Sequence, residues 1–116
     1  MPAYAIARLR PPRTLHEEVL TYMERIQSTL DPFDGRFLVH GAPAREVLEG
    51  DWPEALVIIG FPSLVHARDW YASEAYQALL PLRTRHMDGD VLLIDGLAPD
   101  YDPATTAAAL RLAQLP

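Results

Sequence analysis

The stretch "ALVIIGF", residues 55–61, carries no charged side chain and dictates how the rest of the chain must be arranged around it. It predicts a β-strand. Because neither face of this strand is polar, we expect both faces to be covered. The elements on either side of it then have to supply the two covering layers.

A helix is expected directly after this strand. Pro62 and Ser63 begin it, with Ser63 as the N-cap. Ser73 offers a second cap, which predicts a helical region in two pieces. The final strand, "DVLLID" at residues 90–95, follows a turn signal at Asp88-Gly89.

The chain before residue 55 holds two more strands and one helix. "AYAIARL", residues 3–9, predicts the first strand. A helix begins where Thr14 and Glu17 have the spacing of a capping box, and it ends at Asp31-Pro32 because proline disfavours helical geometry in the residue before it. Its apolar residues recur every three or four positions and form one stripe, which includes Leu15, Val19, Tyr22, Met23, Ile26 and Leu30.

"RFLVHG", residues 36–41, predicts the remaining strand. Strict alternation places Phe37 and Val39 on one face and Leu38 and His40 on the other. The complete order is strand, helix, strand, strand, helix, strand. That order is typical of an α+β, ferredoxin-like antiparallel sheet with both helices on one face.

Such a sheet leaves its other face without a cover. "ALVIIGF" and "VLLI" would expose a contiguous apolar patch there, so we expect a homodimer in which two sheets pack face to face. Residues 1–96 are expected to form the domain, and residues 97–116 a C-terminal tail that is frayed or docked on a partner subunit.

The amino-acid composition limits the classes of partner that the protein is expected to bind. The net charge is −6, and all ten basic residues are arginine. An acidic chain without a basic cluster is a poor ligand for phosphate backbones, so we expect no nucleic acid partner. No apolar run is long enough for a membrane span, and no cysteine is present. We therefore expect a cytoplasmic protein without membrane partners.

Three segments carry a family resemblance: "GRFLVHG", the long stretch from "EVLEGDW" to "ALLPLR", and "GDVLLIDG". Together they resemble the DUF1330 proteins, over residues 1 to about 96. The resemblance implies a ferredoxin-like fold of the dimeric alpha-beta barrel superfamily, which includes cofactor-free monooxygenases, heme-handling proteins and muconolactone isomerases. It implies no catalytic residues. Family members often carry Gly-Gly after the second strand, whereas this chain reads His40-Gly41-Ala42-Pro43.

The aromatic residues after the third strand have two interpretations, a packed helix face or a binding site. Trp70 and Tyr71 share a helical stripe with Leu64 and Ala67, and neighbours on a helix point about 100° apart, so at most one of them faces the core squarely. Packing is the favoured interpretation. Tyr76 is the better candidate for a pocket wall, since its hydroxyl needs a partner when buried.

His40 is the candidate catalytic residue, because imidazole titrates near neutral pH and suits proton transfer. A histidine hydrogen-bonded at a strand end or a dimer interface is the favoured interpretation. The four histidines are scattered without a ligand spacing such as H-x-x-x-H, so we expect no metal site. We expect no cofactor, and heme is the least favoured.

The segment "EGDW" supplies further ligand-binding candidates. Glu49 and Asp51 could act as general acid and general base beside Trp52, or could be solvated loop residues. Arg83 and Arg85 lie near the end of the second helix, where an arginine could clamp an anionic ligand or form a structural ion pair with Glu49 or Asp51. The ion pair is the favoured interpretation. The favoured hypothesis is a small dimeric protein that binds an apolar or anionic small molecule between sheet and helices. The alternatives are a cofactor-independent monooxygenase or isomerase with His40 as base, and a non-catalytic dimeric interaction module.

Overall fold

A computed structural model describes residues 1–41 and 44–116 of the chain. Ala42 and Pro43, where the sequence departs from the Gly-Gly pattern of the family, lie outside the described residues. The strands are β1 (Ala3–Arg10), β2 (Arg36–His40), β3 (Ala55–Phe61) and β4 (Asp88–Asp95); the helices are α1 (Glu17–Leu30), α2 (Leu64–Ala72), α3 (Glu74–Leu79), α4 (Pro81–Thr84) and α5 (Pro103–Ala113), with a 3-10 turn at Asp31–Phe33.

The four strands form one antiparallel sheet in the order β2-β3-β1-β4. In β1, one of the two central strands, Ala5 lies opposite Ile59 of β3 and Leu93 of β4. Buried residues of α1, α2 and α3 pack with one face of this sheet in a single core. The ferredoxin-like α+β prediction is confirmed.

Small side chains line the helix-facing side of β1. Ala3, Ala5 and Ala7 alternate along it, while β3 presents the larger Val57 and Ile59 beside them. Three alanines in the middle of a sheet bring little side-chain volume to the layer beneath the helices. The helix-facing surface of the sheet is therefore recessed along β1, on the side that α1 covers.

Two of the three predicted helix N-caps are confirmed and one is wrong. Ser63 and Ser73 cap α2 and α3 as predicted, and each hydroxyl accepts a hydrogen bond from the amide of the third residue after it. The cap of α1 is His16 instead of Thr14, because the Nδ1 atom of His16 accepts the Glu18 amide at 3.0 Å. A histidine ring can act as the acceptor that a capping-box pattern assigns to serine or threonine.

The predicted faces of β2 are wrong because the strand contains a β-bulge. Phe37 pairs with Ile59, but Val39 already pairs with Ile58 and His40 with Val57, so one extra residue lies between positions 37 and 39. An extra residue reverses the alternation beyond it. His40 therefore shares the helix-facing side with Phe37, and not the side of Leu38.

The turn signal at Asp88-Gly89 is also wrong, since both residues belong to β4 and pair with Arg10 and Leu9. The first strand runs one residue further than predicted and offers them hydrogen-bonding partners. Beside them the Asp90 carboxylate accepts the Arg8 Nε at 2.9 Å and an Arg10 Nη at 3.2 Å, which ties the two strand ends together.

The other face of the sheet remains apolar and partly uncovered. Leu38, Leu92 and Ile94 are about half exposed there, at 49%, 52% and 48%, and Ile6 and Ile58 are half-buried between them. The helices of the described chain pack on the opposite face, so the expectation that both faces are covered is not fulfilled within one chain.

The C-terminal helix α5 is exposed along its whole length, although Asp102 caps it and Pro103 begins it. Among residues 1–41 and 44–116, no helix combines the length and apolarity that a membrane crossing requires.

Candidate functional site

A cavity of about 310 Å³ lies between the helix-facing side of the sheet and helices α1 to α4. Its walls are mainly apolar: Ala5, Ala7, Leu9, Val19, Met23, Ile26, Phe37, Val57, Ile59, Trp70, Met87 and Val91. The polar side chains that line it are Tyr22, Gln27, His40, Tyr76 and Arg83. The cavity lies above the alanines of β1, where the side chains of the sheet are shortest.

Tyr22 of α1 and Tyr76 of α3 meet in the wall of this cavity. Both rings are buried, and their hydroxyl oxygens are 2.8 Å apart, which makes a hydrogen bond. Burial, together with the neighbouring Tyr22, raises the pKa of Tyr76 far above its ordinary value, so Tyr76 stays protonated. Only one hydroxyl can donate to the other, and the remaining hydroxyl proton is available to a third group.

Arg83 of α4 is the charged group of the cavity, with only 7% of its surface exposed. Its guanidinium carbon lies 5.5 Å from the centre of the Tyr22 ring, a cation–π distance. In the part of the chain that the structure describes, no carboxylate lies within 4.0 Å of it. Burial acts to lower the pKa of Arg83, but the Tyr22 and Tyr76 phenols outweigh burial and raise that pKa, so the charge persists.

Arg85, two residues further on, has a different environment. It is exposed, and its Nη1 contacts the Glu18 carboxylate at 3.4 Å. Arg85 and Glu18 thus form an ion pair at this helix end, with a partner that the sequence did not predict. The expected pairing of Arg83 with Glu49 or Asp51 is not found in residues 1–41 and 44–116.

His40 lies at the exposed rim of the cavity, where β2 ends. The β-bulge turns its ring to the helix-facing side, and the ring centre is 5.1 Å from that of Phe37. His40, Tyr76 and Arg83 therefore line the same cavity.

Glu49, Asp51 and Trp52 do not line the cavity. They belong to an exposed loop before β3, in which the Trp52 indole donates to the Glu49 carbonyl at 3.0 Å. Arg45 closes this loop by donating to the carbonyls of Trp52 and Glu54 at 3.1 and 2.9 Å. These hydrogen bonds all join residues of the same loop. The six predicted site residues therefore form two groups, three that line the cavity and three in this loop.

Two further residues of the cavity were interpreted from sequence only as packing. Trp70 is buried, contacts Phe61 and Tyr76, and donates its indole N–H to the Thr29 hydroxyl at 3.0 Å. It is thus the core anchor predicted, and it also forms part of the cavity wall. Tyr22 was one member of the stripe of α1; the signal for its role is that a buried phenol needs a hydrogen-bonding partner.

A histidine cluster that the sequence spacing did not reveal lies at the N-terminal end of α1. His16, Glu18 and His86 bring their ligating atoms within 4.8 Å of one another. The two imidazole rings are stacked, with centres 3.7 Å apart and planes 6° from parallel, and a single ion cannot lie in the planes of two stacked rings. His86 Nε2 instead donates to Glu18 at 2.7 Å and holds the pKa of the Glu18 carboxyl below its ordinary value.

Solved structures with the same fold come from several bacteria. A protein of unknown function from Rhodopseudomonas palustris, RPA0582, has a TM-score of 0.62 and 17% identity, with 84% of each chain covered. Rv0793 from Mycobacterium tuberculosis has a TM-score of 0.57 and 14% identity, over 87% of this chain and 100% of that one. SnoaB, a cofactor-independent oxygenase from Streptomyces nogalater, has a TM-score of 0.57 and 10% identity, over 87% and 98%.

These likenesses establish the fold. No curated protein matches the chain. The model of a domain of unknown function, DUF1330, matches residues 2–97, which include the whole sheet and the cavity. The chain belongs to the DUF1330 family.

Proposed function

We propose that the protein binds a small molecule, largely apolar and with an anionic group, in the cavity between sheet and helices. The observation that carries this proposal is Arg83, a buried cation on the cavity wall with no carboxylate within 4.0 Å among the described residues. A buried charge is costly unless it is compensated. A bound anion would complete the compensation that the Tyr22 ring supplies in part.

The cavity walls determine the rest of the ligand. A volume of about 310 Å³ is at the lower end of ligand pockets, which run from about 300 to 1,000 Å³. Apolar side chains of all four strands and of α1 form most of the surface. A compact apolar body, such as one or two rings, fits these walls while its charged end lies beside Arg83.

The proposed working form is a homodimer. Its support is the outer face of the sheet, where Leu38, Leu92 and Ile94 are about half exposed. An apolar face of this extent is typical of an interface. A second copy of the same face would cover it with two-fold symmetry.

The binding proposal can be tested without knowing the natural ligand. Indole serves as a neutral probe of the apolar cavity, titrated against the ¹⁵N-labelled full chain and followed by NMR. We expect saturable shifts at the amides of Ala5, Ala7, Val57 and Ile59.

Ala7→Leu should abolish these shifts because the new side chain fills the cavity. Ile6→Leu is the matched control, since the neighbouring side chain points to the other face of the sheet. Equal shifts in both variants would contradict binding in the cavity.

A second candidate function, cofactor-independent oxygenation or isomerisation of an activated aromatic or a lactone, is favoured by the position of His40. The bulge places this imidazole on the cavity rim, where it could take a proton from a ligand whose developing negative charge faces Arg83. Oxygen uptake with an electron-rich hydroquinone would measure the oxygenase activity. A His40→Ala variant with undiminished uptake would remove His40 as the base.

A further inference from the structure

We infer that the anionic group recognised in the cavity is a single carboxylate, held by the Arg83 guanidinium and a tyrosine hydroxyl. This inference rests on the proposed binding function and specifies the chemical class of the ligand. It is carried by the polar groups that the cavity buries, by their donor or acceptor character, and by their total charge.

The buried polar groups of the cavity can all donate hydrogen bonds. Arg83 has five N–H donors and no acceptor. Tyr22 and Tyr76 share one hydrogen bond at 2.8 Å. The described part of the chain offers no second acceptor to their hydroxyls, which leaves one of the two hydroxyl protons free. No aspartate or glutamate of residues 1–41 and 44–116 lines the cavity. A ligand amine would therefore face a cation and hydroxyl donors without a carboxylate to pair with.

Two further polar side chains lie at the rim, outside this buried set. Gln27 is exposed, and its amide nitrogen already donates to Asp31 Oδ1 at 2.9 Å and to the Gly35 carbonyl at 3.1 Å. His40 is exposed at the end of β2. Neither is a buried charge, so the electrostatics inside the cavity is that of one guanidinium beside two phenols.

One permanent positive charge matches one negative charge. A phosphate monoester would bring close to two negative charges into a cavity that holds a single cation, and the excess charge would be buried without compensation. A carboxylate is planar and accepts two parallel N–H bonds from the guanidinium fork. Its remaining lone pairs can accept the free tyrosine hydroxyl.

The test is a matched ligand series on the wild-type full chain at pH 8, measured by isothermal titration calorimetry. Phenylacetate, phenylacetamide, phenethylamine and benzylphosphonate share an aromatic body and differ in the terminal group. We expect phenylacetate to bind roughly ten to a hundred times more tightly than phenylacetamide, the range of a charge-assisted hydrogen-bond pair. The phosphonate should bind more weakly than phenylacetate, and the amine should bind weakest.

Equal affinity for phenylacetate and phenylacetamide would overturn the carboxylate inference while leaving the binding proposal intact. Tighter binding of the phosphonate would also overturn it. If none of the four compounds, nor indole, perturbs the cavity amides, the binding proposal itself fails. The two failures are thus distinguishable.

Variants assign the effect to Arg83. Arg83→Gln should remove the preference for phenylacetate over phenylacetamide, whereas Arg85→Gln, which changes the exposed partner of Glu18, should keep it. Arg83→Met, with an apolar side chain of similar length, replaces the first variant if that one does not fold. A preference that survives loss of Arg83, or that Arg85→Gln abolishes equally, contradicts the inference.

Discussion

The hydroxyls of Tyr22 and Tyr76 share one buried hydrogen bond in a mainly apolar layer. We expect Tyr22→Phe and Tyr76→Phe each to lower the free energy of unfolding by about 1–3 kcal/mol, because the partner hydroxyl stays buried without its bond. The double variant should lose less than the sum of the two, by roughly 0.5–3 kcal/mol. Urea denaturation of the four proteins measures this coupling.

Tyr71→Phe is the control for this cycle. Tyr71 packs against the same aromatic cluster, and its hydroxyl makes no hydrogen bond within the described part of the chain. Its loss should leave the unfolding free energy nearly unchanged. Strict additivity of the two tyrosine variants would show that the hydroxyls do not depend on each other.

Glu18 gives the protein a dependence on acid pH. The hydrogen bond from His86, supported by Arg85, holds the pKa of the folded carboxyl below its unfolded value of about 4.5. Stability from this carboxylate is thus present above pH 4.5 and is lost as the pH falls through the lower folded pKa. Glu18→Gln should lower stability at neutral pH and flatten its fall in acid, as measured by thermal unfolding from pH 3 to 7.

Glu24→Gln is the control for Glu18, since Glu24 is an exposed residue of the same helix. It should reproduce the acid dependence of the wild type. An unchanged dependence in Glu18→Gln would mean that other carboxylates control the acid transition.

Gly35, between α1 and β2, lies where Leu30 of α1 and Phe61 of β3 leave no room for a side chain. An added Cβ at Gly35 would lie 2.7 Å from a Phe61 ring atom and 2.8 Å from a Leu30 methyl carbon. Gly35→Ala should therefore cost about 1–3 kcal/mol by overpacking the core, which chemical denaturation would show. At Gly41 an added Cβ meets nothing within 4 Å among the residues that the structure describes, but φ is +73°. Gly41→Ala should cost about 1–2 kcal/mol through backbone strain alone.

Helix α5 contributes no buried residue to the domain. We expect a chain that ends at Leu97 to fold with an unfolding free energy close to that of the full chain, since the sheet, the core and the bond from the Gly96 amide to Pro2 are retained. Its circular dichroism should lose the contribution of one short helix. A truncated chain that fails to fold would show that the tail belongs to the domain.

The outer sheet face determines the assembly expected of the whole molecule. We expect Leu92→Glu to convert a dimer into monomers in sedimentation velocity at micromolar concentration, because a charge would be buried between two apolar faces. Val65→Glu is the matched control, an exposed apolar residue of α2 at 60% exposure. A wild-type monomer, or equal behaviour of the two variants, would contradict the dimer.

Local sequence signals account for one part of the site and miss another. Tyr76 and Arg83 are candidates from sequence because a buried hydroxyl and a cation at a helix end each need a partner, and both side chains line the cavity. Glu49, Asp51 and Trp52 carry the same kind of signal, yet local hydrogen bonds hold them in a separate loop. Which of two chemically similar groups faces a cavity depends on contacts between residues distant in sequence.

The sequence by itself determined the order and type of the elements, the caps at Ser63 and Ser73, and the ferredoxin-like class, because apolar periodicity and capping are local properties of the chain. The tertiary structure decided the side of the sheet that His40 faces, through a bulge that one unpaired residue in β2 creates. It also decided that Arg85 meets Glu18 while Arg83 faces a cavity above two alanines. These outcomes depend on the register between strands and on the volume left between sheet and helices, which no single stretch of sequence contains.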